Sequence, residues 1–342
     1  MPNNSTKALL LVTLTGGILV SISSNSWFGA WMGLEVNLLS FIPLMLSYNN
    51  VYTTEASMKY FIVQAMASSS LLFMVVMIML TESAFSFEKN LYKSIIIMTP
   101  LLMKMGAAPL HWWFPSVMEG LNWNNCILLM TLQKMTPLML ISYQMKTNLF
   151  SLTAILMSTI IGSMGGFNQT SLRKIMTYSS INHTGWMLSA MMISENLWIM
   201  YFIVYSMLTT TTVMIIKPLN ISFINQVMLM NEEMKPTKFM MFTTLLSLGG
   251  LPPFLGFLPK WIVIQYGILN GLGFMITVMV FTSIVTLYYY LRMCYTSFMI
   301  LHNEMKWNTK PLMKNKNKLY SIVMSTVSML GLTLCTTIFN IS

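Results

Sequence analysis

Apolar runs of about 20 residues, the length a helix needs to cross the hydrocarbon core of a bilayer, follow one another along this chain with only short polar connections between them. Eleven can be marked, at about 8–24, 26–47, 56–81, 91–118, 123–143, 148–167, 172–193, 196–217, 239–267, 272–296 and 319–340. Inside lipid every backbone amide and carbonyl must be satisfied by the protein itself. The runs therefore dictate an all-α membrane protein of about eleven transmembrane helices. The longest polar connections, 218–238 and 297–318, are about twenty residues each and too short to bury a core of their own.

Composition agrees, and charge adds an orientation. Only 8% of the 342 residues are charged, against about 25% in soluble proteins. The formal charge of +10 comes from nine Glu, no Asp, seventeen Lys and two Arg. It does not point to nucleic acid, because most of the lysines lie in short connections, where cations face a membrane surface and set topology. With an odd number of spans, the N-terminal side receives Lys7, Lys59, Arg173, Lys174, Lys217, Lys235, Lys238, Lys306, Lys310, Lys314, Lys316 and Lys318, and the other side Lys89, Lys93 and Lys146. Twelve against three places the N-terminus on the negative side. No cleavable leader is visible before the first run, and 38 methionines fit a genetic code with extra Met codons. Both features lead to an expectation of mitochondrial synthesis, with the N-terminus in the matrix and the C-terminus in the intermembrane space. Cys126, Cys294 and Cys335 lie far apart on apolar segments, so neither a disulfide framework nor a metal site is encoded.

Charged residues within the spans carry the functional signal, since each costs at least about 2.5–3.5 kcal/mol to insert near the bilayer centre. They are Glu35 in the second run, Lys104 in the fourth, Lys134 in the fifth and Lys260 in the ninth. His183 in the seventh run and His111 beside Lys104 add groups that titrate near neutral pH. A static ion pair between Glu35 and one lysine, a buried histidine with a satisfied ring, and an interfacial His111 next to Trp112 and Trp113 are the plainer alternatives. One carboxylate cannot pair three lysines, however. An ammonium buried without an anion is a plausible proton carrier, because burial disfavours charge.

Two of the lysines sit beside helix breakers. Lys104 is followed by Gly106 and Pro109, and Lys260 is preceded by Gly249, Gly250, Pro252, Pro253, Gly256 and Pro259. Proline removes a backbone donor and obstructs the preceding turn, so both spans are expected to be broken. Such backbone is tolerated in a membrane only where protein or trapped water surrounds it. The broken spans lie five apart and run in opposite directions, the pattern of two inverted five-helix repeats with an ion path between them. The expected organisation is a first unit at 1–143, a second at 148–296, a polar loop at 297–318 and a C-terminal helix at 319–342. A helix half starting near the second break would aim its positive dipole end at Lys260 and ease proton release. Thr209–Thr212 are expected to bond to their own helix carbonyls or to line helix contacts, Tyr288, Tyr289 and Tyr290 to form an aromatic belt, and Gly162, Gly165 and Gly166 to allow close helix packing. No dinucleotide fingerprint, P-loop or cysteine cluster appears, so no nucleotide, flavin or iron–sulfur site is expected in this chain.

The segments SNSWFGAWMGLEVNLLSFIPL, MKMGAAPLHWWFPSVMEGL, GGFNQTSLRKIMTYSSINHTGWM and LSLGGLPPFLGFLPKW resemble the antiporter-like membrane subunits of respiratory complex I, NADH:ubiquinone oxidoreductase, in their animal, arthropod-like form. The resemblance covers essentially the whole chain. It implies two inverted five-helix units and a proton-translocating role for Glu35, Lys104, Lys134 and Lys260, with His183 as a link; His111 is a further candidate from its place beside Lys104. It also implies that NADH, FMN, iron–sulfur clusters and ubiquinone reside in other subunits. Partners implied are the other membrane-arm subunits, notably subunits 4L and 4, with accessory subunits, phospholipid such as cardiolipin, internal water and protons. A freestanding cation/proton exchanger and a purely structural subunit are the rival readings; the single intramembrane carboxylate weighs against a sodium exchanger.

The charge census makes a direct test available. Tags or protease sites at the N-terminus and within 297–318 should be accessible from the matrix side of the membrane only, and exposure of Lys306–Lys318 on the opposite side would invert the topology.

Overall fold

A computed structural model of the chain describes residues 4–47, 50–82, 89–228, 235–295, 322–323 and 325–331. The 297–318 connection with Lys306–Lys318, most of the expected last span at 319–340, and Cys335 lie outside the described residues. The rest is helical: α1 (Asn4–Ser23), α2 (Trp27–Met45), α3 (Val51–Glu82), α4 (Lys89–Met105), α5 (Trp113–Gly120), α6 (Trp123–Met130), α7 (Leu132–Ser142), α8 (Leu149–Phe167), α9 (Leu172–Ile193), α10 (Glu195–Ile216), α11 (Ile224–Met228), α12 (Lys235–Gly249), α13 (Phe257–Leu269) and α14 (Gly273–Tyr295). By length and composition α1, α2, α3, α8, α10 and α14 could each cross a membrane unaided. The fourth and ninth apolar runs are broken as their Gly/Pro clusters dictate, α4 from α5 and α12 from α13.

The helices gather into two compact units, Met1–Met157 and Ser158–Ser342. In the first, α2 packs on α1 and α3, α3 holds both α4 and α5, and α7 lies against α1, α4 and α6. The α1–α2 crossing is close enough that a Cβ on Gly33 would meet the backbone of Ser21 at 2.6 Å. In the second, α9 and α10 pack together and against α13, while α12 lies against α10 and α14. Helix α9 falls outside the unaided group because of its Ser, Thr, Asn and His content, yet seventeen of its 22 residues are buried. Its polar side chains point into protein, so it forms the centre of its unit rather than a lipid-facing wall.

The two expected breaks use one device. Gly106, at φ +70°, ends α4 with bonds from Gly106 N to Met103 O and from Ala107 N to Leu102 O. Gly250, at φ +83°, ends α12 with bonds from its N–H to Leu246 O and Ser247 O. A left-handed residue closing a helix in this way is nearly always glycine, because a Cβ collides with the following carbonyl.

Two expectations need correction. The fifth run is not one helix: it is interrupted at Thr131, whose φ and ψ of −113° and −77° separate α6 from α7. Pro137 removes the amide that would otherwise reach Gln133, and Thr131 turns its hydroxyl back to Ile127 O at 2.7 Å, so the ladder is weakened on both sides of the gap. The three consecutive tyrosines are not a belt. Only Tyr288 faces outward, at 50% exposure, whereas Tyr289 and Tyr290 are 0% and 1% exposed, as the ~100° step between helical neighbours requires. The hydroxyls of Thr209–Thr212 do bond to the carbonyls three residues back in α10. Gly162 lies against the backbone of Asn182, and Gly165 and Gly166 lie against Tyr178 and Tyr289, the close packing expected of them.

Gly106→Ala should therefore lower stability by about 1–2 kcal/mol, the cost of a side chain in the left-handed region. Gly16→Ala, in mid-helix with nothing within 4 Å of the added methyl, should be neutral or stabilising. Thermal inactivation midpoints of the two variants measure the contrast.

Candidate functional site

Each unit holds buried cations at a helix interruption. In the first, Lys104 occupies the last turn of α4 before the Gly106 cap and Lys134 the first turn of α7 after the Thr131 gap. They are 8% and 1% exposed. Both line one cavity with Leu34, Asn37, Tyr60, Gln64 and Gln133. About 20 Å³ of it can hold the centre of a water molecule, above the roughly 10–15 Å³ that one water needs.

Neutral polar groups organise the cavity wall. Gln133 Nε2 donates to Asn37 Oδ1 at 2.9 Å, Tyr60 O–H donates to Gln133 Oε1 at 3.4 Å, and Gln64 Nε2 donates to the Lys104 carbonyl at 3.2 Å. Thr136 Oγ1, also on the wall, has no partner among the described residues. The Lys134 ammonium lies 4.9 Å from the centre of the Phe114 ring. Such a cation–π contact stabilises charge without fixing it to a carboxylate.

Glu35 lies outside this wall. It is half-buried on α2, next to the cavity residue Leu34, and no ion pair joins it to Lys104 among the described residues. Its charge nonetheless acts on the Lys104 ammonium through space. His111 stands in the segment between α4 and α5, buried, with Nδ1 3.2 Å from the Pro109 carbonyl and its ring stacked on Trp112 at 4.9 Å. It is not among the cavity residues.

In the second unit, Lys260 lies in the first turn of α13 and is 5% exposed. Its Nζ reaches back across the break and donates to Gly249 O at 2.9 Å and Leu248 O at 3.5 Å, the last carbonyls of α12. The neighbour expected from the sequence is the positive end of a helix half. Lys260 does lie at the start of such a half, α13, and its ammonium also meets the negative end of the preceding half, since a carbonyl terminus carries partial negative charge. The Trp186 ring centre is 5.8 Å away. His183, one turn before Trp186 on α9, has Nδ1 2.9 Å from the Tyr201 hydroxyl and its ring 5.1 Å from that of Tyr205.

Charged residues announce the site in the sequence, but its neutral members do not stand out there. Asn37, Tyr60, Gln64 and Gln133 in one unit and Tyr201 and Tyr205 in the other complete it. The readable signal is an amide such as Gln64 or Gln133 within an apolar run, since burying an unbonded amide is costly. Cys126 and Cys294 are buried and not joined in a disulfide, and no cluster of three metal-binding side chains occurs among the described residues.

The NADH:quinone oxidoreductase/Mrp antiporter transmembrane model matches residues 24–286. Proteins named NADH-ubiquinone oxidoreductase chain 2 are 48% identical in Anopheles gambiae, over 97% of this chain and 98% of that one, and 47% in Locusta migratoria, over 99% and 98%. The Pongo abelii protein of that name is 40% identical over 90% and 92%. Among solved structures, respiratory complex I from Thermus thermophilus superposes with a TM-score of 0.83 at 20% identity, over 97% of this chain and 79% of that one. The Mrp complex from Dietzia sp. does so with 0.75 at 19%, over 89% and 62%. These two likenesses are of fold.

The amide pair at the first cavity supports a test of its own. Gln133→Leu leaves the Asn37 amide without its donor and should cost about 1–3 kcal/mol. Asn37→Leu combined with it should cost clearly less than the sum of the two single changes, as read from thermal unfolding midpoints. Simple additivity would mean that the bond contributes nothing.

Proposed function

The chain belongs to the NADH:quinone oxidoreductase/Mrp antiporter transmembrane family, and we propose that its buried lysines at helix interruptions are the proton-carrying groups of a module driven from outside the chain. It is a core membrane-arm subunit of NADH:ubiquinone oxidoreductase in the mitochondrial inner membrane, where quinone reduction is coupled to proton pumping. The single observation that carries the site assignment is the cavity shared by Lys104 and Lys134. Two like charges at one small site with room for water disfavour each other's protonation, so a proton arriving on one eases departure from the other.

In this reading Glu35 is the input. A change of charge in a neighbouring membrane-arm subunit, 4L or 4, alters the influence of Glu35 on Lys104. The proton passes to Lys134, then by water and His183 to Lys260, which is the terminal site. His111 is a secondary carrier beside the first break. Because the sites are coupled, their titration belongs to the set and not to single residues. NADH, FMN, iron–sulfur clusters and ubiquinone are held by other subunits, and phospholipid such as cardiolipin covers the apolar exterior.

The inverted-repeat organisation is supported by the register of the two breaks. Each left-handed glycine is followed three residues on by proline, Gly106 by Pro109 and Gly250 by Pro253, and nine residues on by another, Pro115 and Pro259. Units at 1–143 and 148–296, a loop at 297–318, a helix at 319–342 and eleven spans follow from that register and the charge census. The charge census supports a matrix N-terminus and an intermembrane-space C-terminus, and the 38 methionines support mitochondrial encoding.

Substitution in the assembled enzyme tests the roles. Glu35→Gln and Lys260→Met should lower protons pumped per NADH during quinone reduction and leave NADH oxidation by an artificial acceptor unchanged. Lys260→Arg should also impair pumping, because a guanidinium stays charged throughout the useful pH range. Normal pumping by an assembled Lys260→Arg enzyme would make Lys260 a fixed counter-charge.

A further inference from the structure

The second unit contains a set of buried hydroxyls that the path just described does not use. From His183, about halfway along α9 at ~1.5 Å per residue, they run toward the end of the unit where α8 stops and α9 begins. Tyr205 of α10 directs its hydroxyl toward Ser180, and Tyr290 of α14 directs its own toward Ser179 and Tyr289. The Tyr289 and Tyr290 rings meet edge to face at 4.6 Å. All five side chains are at most 3% exposed.

Glycines make room for this row. A Cβ on Gly249 would lie 3.4 Å from the Tyr290 ring, and one on Gly166 would lie 3.0 Å from the Tyr289 ring. Tyr290 therefore packs on the residue whose carbonyl accepts the Lys260 ammonium, and Tyr289 packs on the last turn of α8. One turn beyond Tyr289, Arg292 donates to Phe167 O and Gln169 O, both at 2.9 Å. An antiparallel bridge between Ser171 and Phe223 closes the same end.

Two buried hydroxyls of this row, those of Tyr289 and Tyr290, make no hydrogen bond of good geometry among the described residues, although they turn toward each other. Buried polar atoms are rarely left so, and a run of them is polar enough to be bridged by water, which needs two to four such partners. Two neighbouring buried phenols beside the Ser179 hydroxyl leave a polar place for such a water.

We propose that Tyr289, Tyr290, Ser179, Ser180 and Tyr205 form a hydroxyl-lined proton branch joining His183 and Lys260 to the 167–173 end of the second unit. A proton entering on the Tyr289 oxygen displaces that phenol's own proton to the next hydroxyl or bridging water. The relay repeats to Tyr290 and Tyr205, so each group ends neutral with its O–H reversed and one proton is delivered to the His183 ring or the Lys260 amine. The proposal rests on the reading of His183 and Lys260 as proton carriers.

Phenylalanine variants in the assembled enzyme test it, since they keep the ring and delete the hydroxyl. Tyr290→Phe, and independently Tyr289→Phe, should cause a severalfold fall in protons pumped per NADH with artificial-acceptor oxidation unchanged. Tyr288→Phe, on the exposed face of the same helix, should have no effect. If Tyr290→Phe fails to assemble, Tyr289→Phe decides. Normal pumping by the assembled tyrosine variants while Lys260→Met is defective would overturn this branch alone. Normal pumping by Lys260→Met as well would overturn the carrier reading beneath it.

Discussion

Everything distinctive in this chain follows from breaking helices where there is no bulk water to satisfy the broken ends. A carbonyl released inside lipid must find a donor in protein or trapped water. Here the breaks near Gly106, Thr131 and Gly250 each have a lysine within a turn or reaching across the gap. At the third, the lysine itself supplies the donor: Lys260 Nζ takes the last carbonyls of α12. At the first, Gln64 does so by bonding the Lys104 carbonyl, which leaves the Lys104 side chain to line the cavity. The need to satisfy backbone and the need to hold a mobile charge are thus met at the same places.

That arrangement also accounts for the choice of neighbours. Carboxylates would lock an ammonium in place, because removing either partner of a buried pair leaves an uncompensated charge. Glu35 acts on Lys104 from a distance, and the groups that touch or line these sites are carbonyls, amides, phenols and aromatic faces. They support charge without fixing a proton. Phe114 near Lys134 and Trp186 near Lys260 repeat this theme in the two units.

Much of this is legible in the sequence, for reasons that can be named. Apolar run length locates the helices because lipid permits few alternatives, and α9 matches its expected limits, 172–193, to the residue. Gly/Pro clusters locate two breaks because left-handed backbone at a helix end demands glycine. The Thr131 gap is hidden because Thr is compatible with a helix and Pro137 lies more than a turn away. The burial of Tyr289 and Tyr290 is hidden because aromatic residues near a span end suit an interface equally well, and only the angular phase of α14 separates the two. The amides of the first cavity do not stand out because no single Gln or Asn carries the insertion cost of a charge.

The central claim is that Lys104 and Lys134 share a wet cavity as exchangeable carriers and do not serve as fixed counter-ions. A map of the assembled enzyme at a resolution that places water tests it most directly. The account predicts ordered water between the two ammonium groups, bonded to Gln133, Asn37 or the Thr136 hydroxyl. A dry cavity, with Lys134 held directly by a carboxylate from any subunit, would contradict it.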